Sequence, residues 1–150
     1  MLNTFKSIAA AALIAIVPIS TTLAEQSPIN DVLVIVSSES LQTQGMAMVL
    51  ANTMAQQGAQ VDVLLCDQAG DLALANYNED NSITPLKPRD VTPGQMLRGL
   101  IQQGGTAAVC ALYLPNSDHE KSDLIDRVTA ASPGDIAARM LDPDTRVFNF

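Results

Sequence analysis

The sequence predicts a three-layer α/β/α domain with a mostly parallel sheet of about five strands, flavodoxin-like or of a related kind. Three observations carry that prediction. Asp31-Val32-Leu33-Val34-Ile35-Val36-Ser37 is an unbroken apolar run rich in β-branched residues, the pattern of a parallel strand covered on both faces. A helical stretch and a second apolar run, Gln60-Val61-Asp62-Val63-Leu64-Leu65-Cys66, follow it, which makes a βαβ unit with a right-handed crossover. A third strand-like run, Thr106-Ala107-Ala108-Val109-Cys110, comes after another amphipathic segment.

Taken in order, the first run reads as the central strand. Met46, Val49, Leu50 and Met54 then recur at helical spacing and Gly58 offers a C′ glycine, so an amphipathic helix is expected over 41–57. Beyond Cys66, residues Asp71 to Ala75 allow a short helix, while Asn76 to Ser82 and the prolines at 85, 88 and 93 read as a surface loop. Thr92 caps the next helix with Pro93 at N1, and Met96, Leu97, Leu100 and Ile101 form its stripe before Gly104-Gly105. Leu124 to Ala130 fits either a helix or a short strand by pattern alone. Ser132-Pro133-Gly134-Asp135 opens a last helix, with Asp135 placed to reach back as an N3 acid, and Arg146 to Phe150 closes the chain as a strand.

The first 24 residues read as an export leader. Lys6 precedes an apolar run from Ile8 to Ile19, and small residues follow up to Ala24, the expected cleavage point. That run is shorter than the about 20 apolar residues a spanning helix needs, so no stable membrane insertion is expected after its removal. The expected product is periplasmic or secreted, with residues 25–150 forming one domain. The chain carries a formal net charge of −8, and the leader holds none of its acidic residues. A surface of that sign repels a phosphate backbone, which excludes nucleic acid as an expected partner.

Chemistry-bearing side chains are few: two cysteines and one histidine. Cys110 stands at the carboxyl end of its strand, where ligands of parallel sheets bind, and Ala111 to Asn116 is expected to turn straight into a helix whose first amides favour a thiolate. Cys110 is therefore the candidate nucleophile, set against the bland role of a small buried hydrophobe. Cys66 ends its strand at a similar height. A Cys66–Cys110 disulfide is the redox alternative: if the first strand lay between the two, as in a flavodoxin-like order, their Cα atoms would be about 10 Å apart and too distant to pair, whereas a different strand order would reopen it. From the general burial of free cysteine, Cys66 is expected to be a packing residue. His119, in the polar stretch Asn116 to Lys121, is a candidate base for Cys110, set against a solvated loop histidine. No Cys or His spacing defines a metal site, and no P-loop, nucleophile elbow or dinucleotide fingerprint is present, so neither metal nor cofactor is expected.

The order of these pieces resembles the DsrE/DsrF-like family of small α/β proteins, which includes sulfur-relay subunits. The resemblance spans about Asp31 to Phe150 and is carried by the first strand and its helix, Pro93-Gly94-Gln95-Met96-Leu97 leading through Gly104-Gly105 to Val109-Cys110, Asp123-Leu124-Ile125-Asp126, and Arg146-Val147-Phe148-Asn149-Phe150. It implies that the residues near Val128 form a strand and that Cys110 corresponds to the cysteine that carries a persulfide in the sulfur-transferring members. It also implies a protein sulfur donor or acceptor and a homo-oligomer in which apolar faces such as that of the 41–57 helix are shared. The leader is a departure, because relay proteins are cytoplasmic. The contrasting expectation is a non-catalytic binding or assembly module of the same fold with an inert, buried Cys110.

Overall fold

A computed structural model describes residues 30–79 and 81–150. The leader reading, residues 1–24, falls outside the described residues. Among the described residues, five strands form one all-parallel sheet: β1 (Asp31–Val36), β2 (Gln60–Leu65), β3 (Thr106–Val109), β4 (Val128–Ala130) and β5 (Thr145–Asn149), in the order β4-β3-β2-β1-β5. Among the described residues, three α-helices accompany them: α1 (Leu41–Gln56), α2 (Pro93–Gln102) and α3 (Pro133–Leu141). The α/β class and the strand count agree with the sequence pattern.

The strand order differs from the flavodoxin-like order. Each of β2, β3 and β4 is added beside its predecessor, so β2 occupies the centre and β1 lies between β2 and the edge strand β5. This order decides where the helices go. The crossovers through α1 and α2 advance in the same direction along the sheet, and right-handed connections therefore place both on one face. The chain from β4 to β5 runs back across the whole sheet, so the same handedness puts α3 on the opposite face. The main core lies under α1 and α2, where Val32, Val34, Val36, Val63, Leu65 and Val109 point towards Met48, Leu97 and Leu100.

Local chemistry explains the helix ends. Thr92 and Gln95 form a reciprocal capping box, with the Gln95 N–H donating to Thr92 Oγ1 at 3.3 Å and the Thr92 N–H donating to Gln95 Oε1 at 2.8 Å. Gly104, at φ 101°, supplies the left-handed residue just beyond the end of α2. At α3 the start occurs where Ser132-Pro133 predicts it, but the Ser132 side chain makes no capping bond. The ambiguous segment resolves as a loop leading into β4, with Leu124 bridged to Leu74.

Helix α1 is oriented differently from its apolar stripe. Its buried residues are Gln44, Gly45, Ala47, Met48 and Ala51, while Met46, Val49 and Leu50 are 56, 46 and 40% exposed. Small side chains let the helix lie close to the sheet and to α2, and buried Gln44 is satisfied by donating from Nε2 to the Ser38 carbonyl at 2.8 Å. Asn52 Nδ2 then ties the two helices by donating to the Met96 carbonyl at 3.1 Å. No helix among the described residues is long and apolar enough to cross a membrane.

Candidate functional site

Both cysteines end strands that are direct neighbours. The parallel register pairs Leu65 with Val109, and the ladder continues one residue further, with the Cys110 N–H donating to the Leu65 carbonyl at 2.7 Å. Cys66 and Cys110 therefore stand opposite one another. Because side chains alternate along a strand, each points away from buried Leu65 and Val109, towards the α3 side of the sheet. Neither thiol is in a disulfide, and both are half-buried. The expected 10 Å separation is thus corrected: it assumed β1 between the two strands, and β1 lies on the other side of β2.

The segments after the cysteines open a cleft over them. Asp67, at φ 52°, is in the left-handed region and turns the chain out of the strand into a 3₁₀ stretch over Asp67–Ala73, where a shorter helix over 71–75 was expected. After Cys110 the chain also makes turns, with the Tyr113 N–H donating to the Cys110 carbonyl at 2.9 Å, and only Leu114–Asn116 is helical, as 3₁₀. The α-helix expected directly after Cys110 is absent, because Pro115 at its second turn and the polar residues beyond it favour turns. The connection leaving β3 stays on the α2 side, where Ile125 and Arg127 bond to the Ala73 and Ile101 carbonyls. The connection leaving β4 crosses to the other side as α3. A crevice at the strand ends follows from that divergence.

This crevice has a volume of about 950 Å³, and Cys66 and Cys110 are in its wall. Leu64, Leu112, Ile136 and Met140 make much of its surface apolar, while Asp67, Asp71 and Asn116 provide polar groups at the strand-end side. Tyr113 closes one flank. Its ring packs over Gly70, where a Cβ would collide with it, and its hydroxyl donates to Asp71 Oδ1 at 2.7 Å. Burial first, then the Asp71 bond, pushes the Tyr113 phenol up from its ordinary value, so it is a neutral donor at physiological pH.

Burial is the main reason that Cys66 is pushed up to about 12, reinforced by its hydrogen bond to Cys110 and by the charges of Cys110 and Asp67. Cys66 accordingly holds its proton. Cys110 is neither sealed in the core nor fully exposed.

His119 is placed beyond Tyr113. Its ring stacks on that of Tyr113 with centroids 6.3 Å apart, and Nδ1 lies 3.9 Å from Asp123 Oδ2. It is not part of the wall that contains the cysteines. Among the described residues, no group of three or more His, Cys, Asp or Glu side chains converges to hold a metal ion. The residue that sequence reasoning set down as packing, leaving its pairing with Cys110 to depend on strand order, is Cys66. A signal was present, since both thiols follow an apolar strand and precede a turn, and consecutive strands are more often neighbours than not.

Comparison with known proteins bears on the fold. A protein of unknown function, MTH1491 from Methanobacterium thermoautotrophicum, superimposes with a TM-score of 0.60 at 16% identity, over 80% of this chain and 98% of that one. The YchN protein of E. coli, a DsrE-like fold, superimposes with a TM-score of 0.54 at 22% identity, over 80% of this chain and 99% of that one. The fold is DsrE-like. No family model matches the chain, and no curated protein matches it. At these identities the likeness concerns architecture alone.

Proposed function

We propose that the cleft is a thiol site that takes a sulfane sulfur onto Cys110 and hands it to an acceptor. The observation that carries this reading is the position of Cys110, at the end of β3 and in the wall of a largely apolar crevice of about 950 Å³. In the forward step the Cys110 thiolate attacks the outer sulfur of a donor persulfide. A Cys110 Sγ–S bond forms, the donor's S–S bond breaks, and the donor leaves as its thiolate. Transfer to an acceptor thiolate is the same displacement in reverse, so no oxidant or reductant is consumed. An apolar wall limits hydrolysis and leaves room for the end of a donor or acceptor chain.

The test is intact-protein mass spectrometry after exposure to a persulfide donor, together with alkylation rates for the wild type and Cys110→Ser. The expected result is one sulfur taken from the donor by the wild type, whether kept on the protein or released as sulfide, and none taken by Cys110→Ser. Slow alkylation of Cys110 in the untreated protein and no sulfur taken up refute the reading. That outcome would favour a binding module with an inert Cys110, for which the apolar side chains Leu64, Ile136 and Met140 offer a surface.

Two further features belong to the same reading. The exposed Met46, Val49 and Leu50 of α1 form a face for association with further copies of the chain. Export, with cleavage after Ala24, would place the site in the periplasm or outside the cell, where thiols survive only if a partner keeps them reduced.

A further inference from the structure

We infer that Cys66 is the second reacting thiol of this site: it displaces the sulfur carried on Cys110, closing a Cys66–Cys110 disulfide and releasing sulfide into the cleft. The inference rests on the sulfur-carrying reading of Cys110 and adds to it a residue, a product and an end state.

Geometry is the main support. Neighbouring strands lie about 4.8 Å apart, and disulfides join residues whose Cα atoms are roughly 4.4–6.8 Å apart. Cys66 and Cys110 are one step past the in-register pair Leu65 and Val109, on adjacent parallel strands, and point to the same face. The hydrogen bond from the Cys110 N–H to the Leu65 carbonyl holds that register to the last residue. Neither strand has to slide for the sulfurs to meet. Both residues also precede turns, whose backbone tolerates a small change of side-chain angle better than a strand interior does.

The step balances without an added oxidant. Cys110 carries its extra sulfur as Cys110–S–S⁻, and Cys66 is a thiol. Cys66 Sγ attacks Cys110 Sγ, the Cys66–Cys110 S–S bond forms, and the bond from Cys110 Sγ to the outer sulfur breaks. The outer sulfur leaves with the bonding electron pair and takes the Cys66 proton, departing as HS⁻. Charge is −1 before and after. The two electrons that reduce the sulfane sulfur to sulfide come from the thiol pair, which is left oxidised. The Cys66 proton must pass to the outer sulfur as Cys66 Sγ attacks, because the thiolate is the nucleophile; burial holds that proton on Cys66 in the resting protein. A further round requires a dithiol reductant, by exchange at the disulfide.

The experiment treats the reduced wild-type protein, Cys66→Ser and Cys66→Ala with inorganic polysulfide, removes the excess, and follows released sulfide and intact mass with and without alkylation. The wild type is expected to release sulfide and to end two hydrogens lighter than the reduced chain, with no thiol left to alkylate. Both variants are expected to keep one added sulfur on Cys110 and to lose the sulfide release. Circular dichroism checks that each is folded, and the alanine variant guards against an effect peculiar to serine. A wild type that keeps the added sulfur while Cys66 stays alkylatable overturns this inference and leaves the carrier reading standing. No added sulfur on either Cys66 variant overturns the carrier reading, and the exchange with it.

Discussion

Replacing Gly70 by alanine tests the packing that shapes the cleft. Gly70 is buried in the 3₁₀ stretch after β2 and lies flat against the Tyr113 ring, so an added Cβ would collide with ring atoms Cδ2, Cε2 and Cζ. The ring has little freedom to retreat: it is 7% exposed, its hydroxyl is held by Asp71 at 2.7 Å, and His119 stacks against it. Overpacking of this kind costs about 1–3 kcal/mol. Gly70 does not have a positive φ, so alanine also restricts the unfolded chain and returns about 0.4–1 kcal/mol. The net expectation is a loss of about 0.5–2 kcal/mol, which for a domain of this size lowers Tm by about 2–8 °C. Thermal unfolding followed by circular dichroism measures it. In a Tyr113→Ala background the collision is removed, and Gly70→Ala should become neutral or stabilising, a coupling of about 1–3 kcal/mol. A Gly70→Ala protein as stable as wild type, or an equal penalty in both backgrounds, would refute the argument.

The remaining predictions concern charge and association. With Cys66 raised from 9.0 to about 12, its protonated form is favoured by folding, so this contribution to stability is complete below about pH 9 and is lost as pH rises towards 12. Thermal stability of Cys110→Ser should therefore fall more steeply between pH 9 and 11 than that of the double serine variant, and Cys66 in it should alkylate at pH 8 on the order of a hundredfold or more slower than free cysteine. Equal slopes and a free-cysteine rate would contradict the burial argument. On α1, Val49→Glu should leave the circular dichroism spectrum unchanged, since Val49 is 46% exposed, while reducing the mass seen by light scattering. A monomeric wild type, or an unaltered mass, would remove that face from consideration.

Much of the fold was legible because it depends on local pattern. The continuous apolar runs at Val32–Val36 and Val61–Leu65 specify strands whatever surrounds them, and Thr92-Pro93 with Gln95 marks a helix start through its own hydrogen bonds. Misreadings arose where a neighbour outweighed the pattern. The stripe of Met46, Val49 and Leu50 has the right spacing to be buried, yet the opposite face, with Gly45, Ala47 and Ala51, is the one narrow enough to approach α2 and the sheet closely. The segment after Cys110 has apolar residues suited to a helix, but turn chemistry around Pro115 and the Tyr113–Gly70 contact hold it otherwise.

Cys110 shows the division most clearly. By itself the sequence determined that a thiol ends a parallel strand, because a hydrophobic run, its length and the break after it are properties of consecutive residues. It did not determine what that thiol faces. Strand order is decided by which crossover packs beside which strand, a balance among contacts distant in sequence, and the order β4-β3-β2-β1-β5 set Cys66 against Cys110 instead of a strand away. The same long-range packing sent α3 to the opposite face, opened the cleft and held His119 behind Tyr113. A residue's type and local backbone are written in its neighbours along the chain, while its chemical partners are written in the packing.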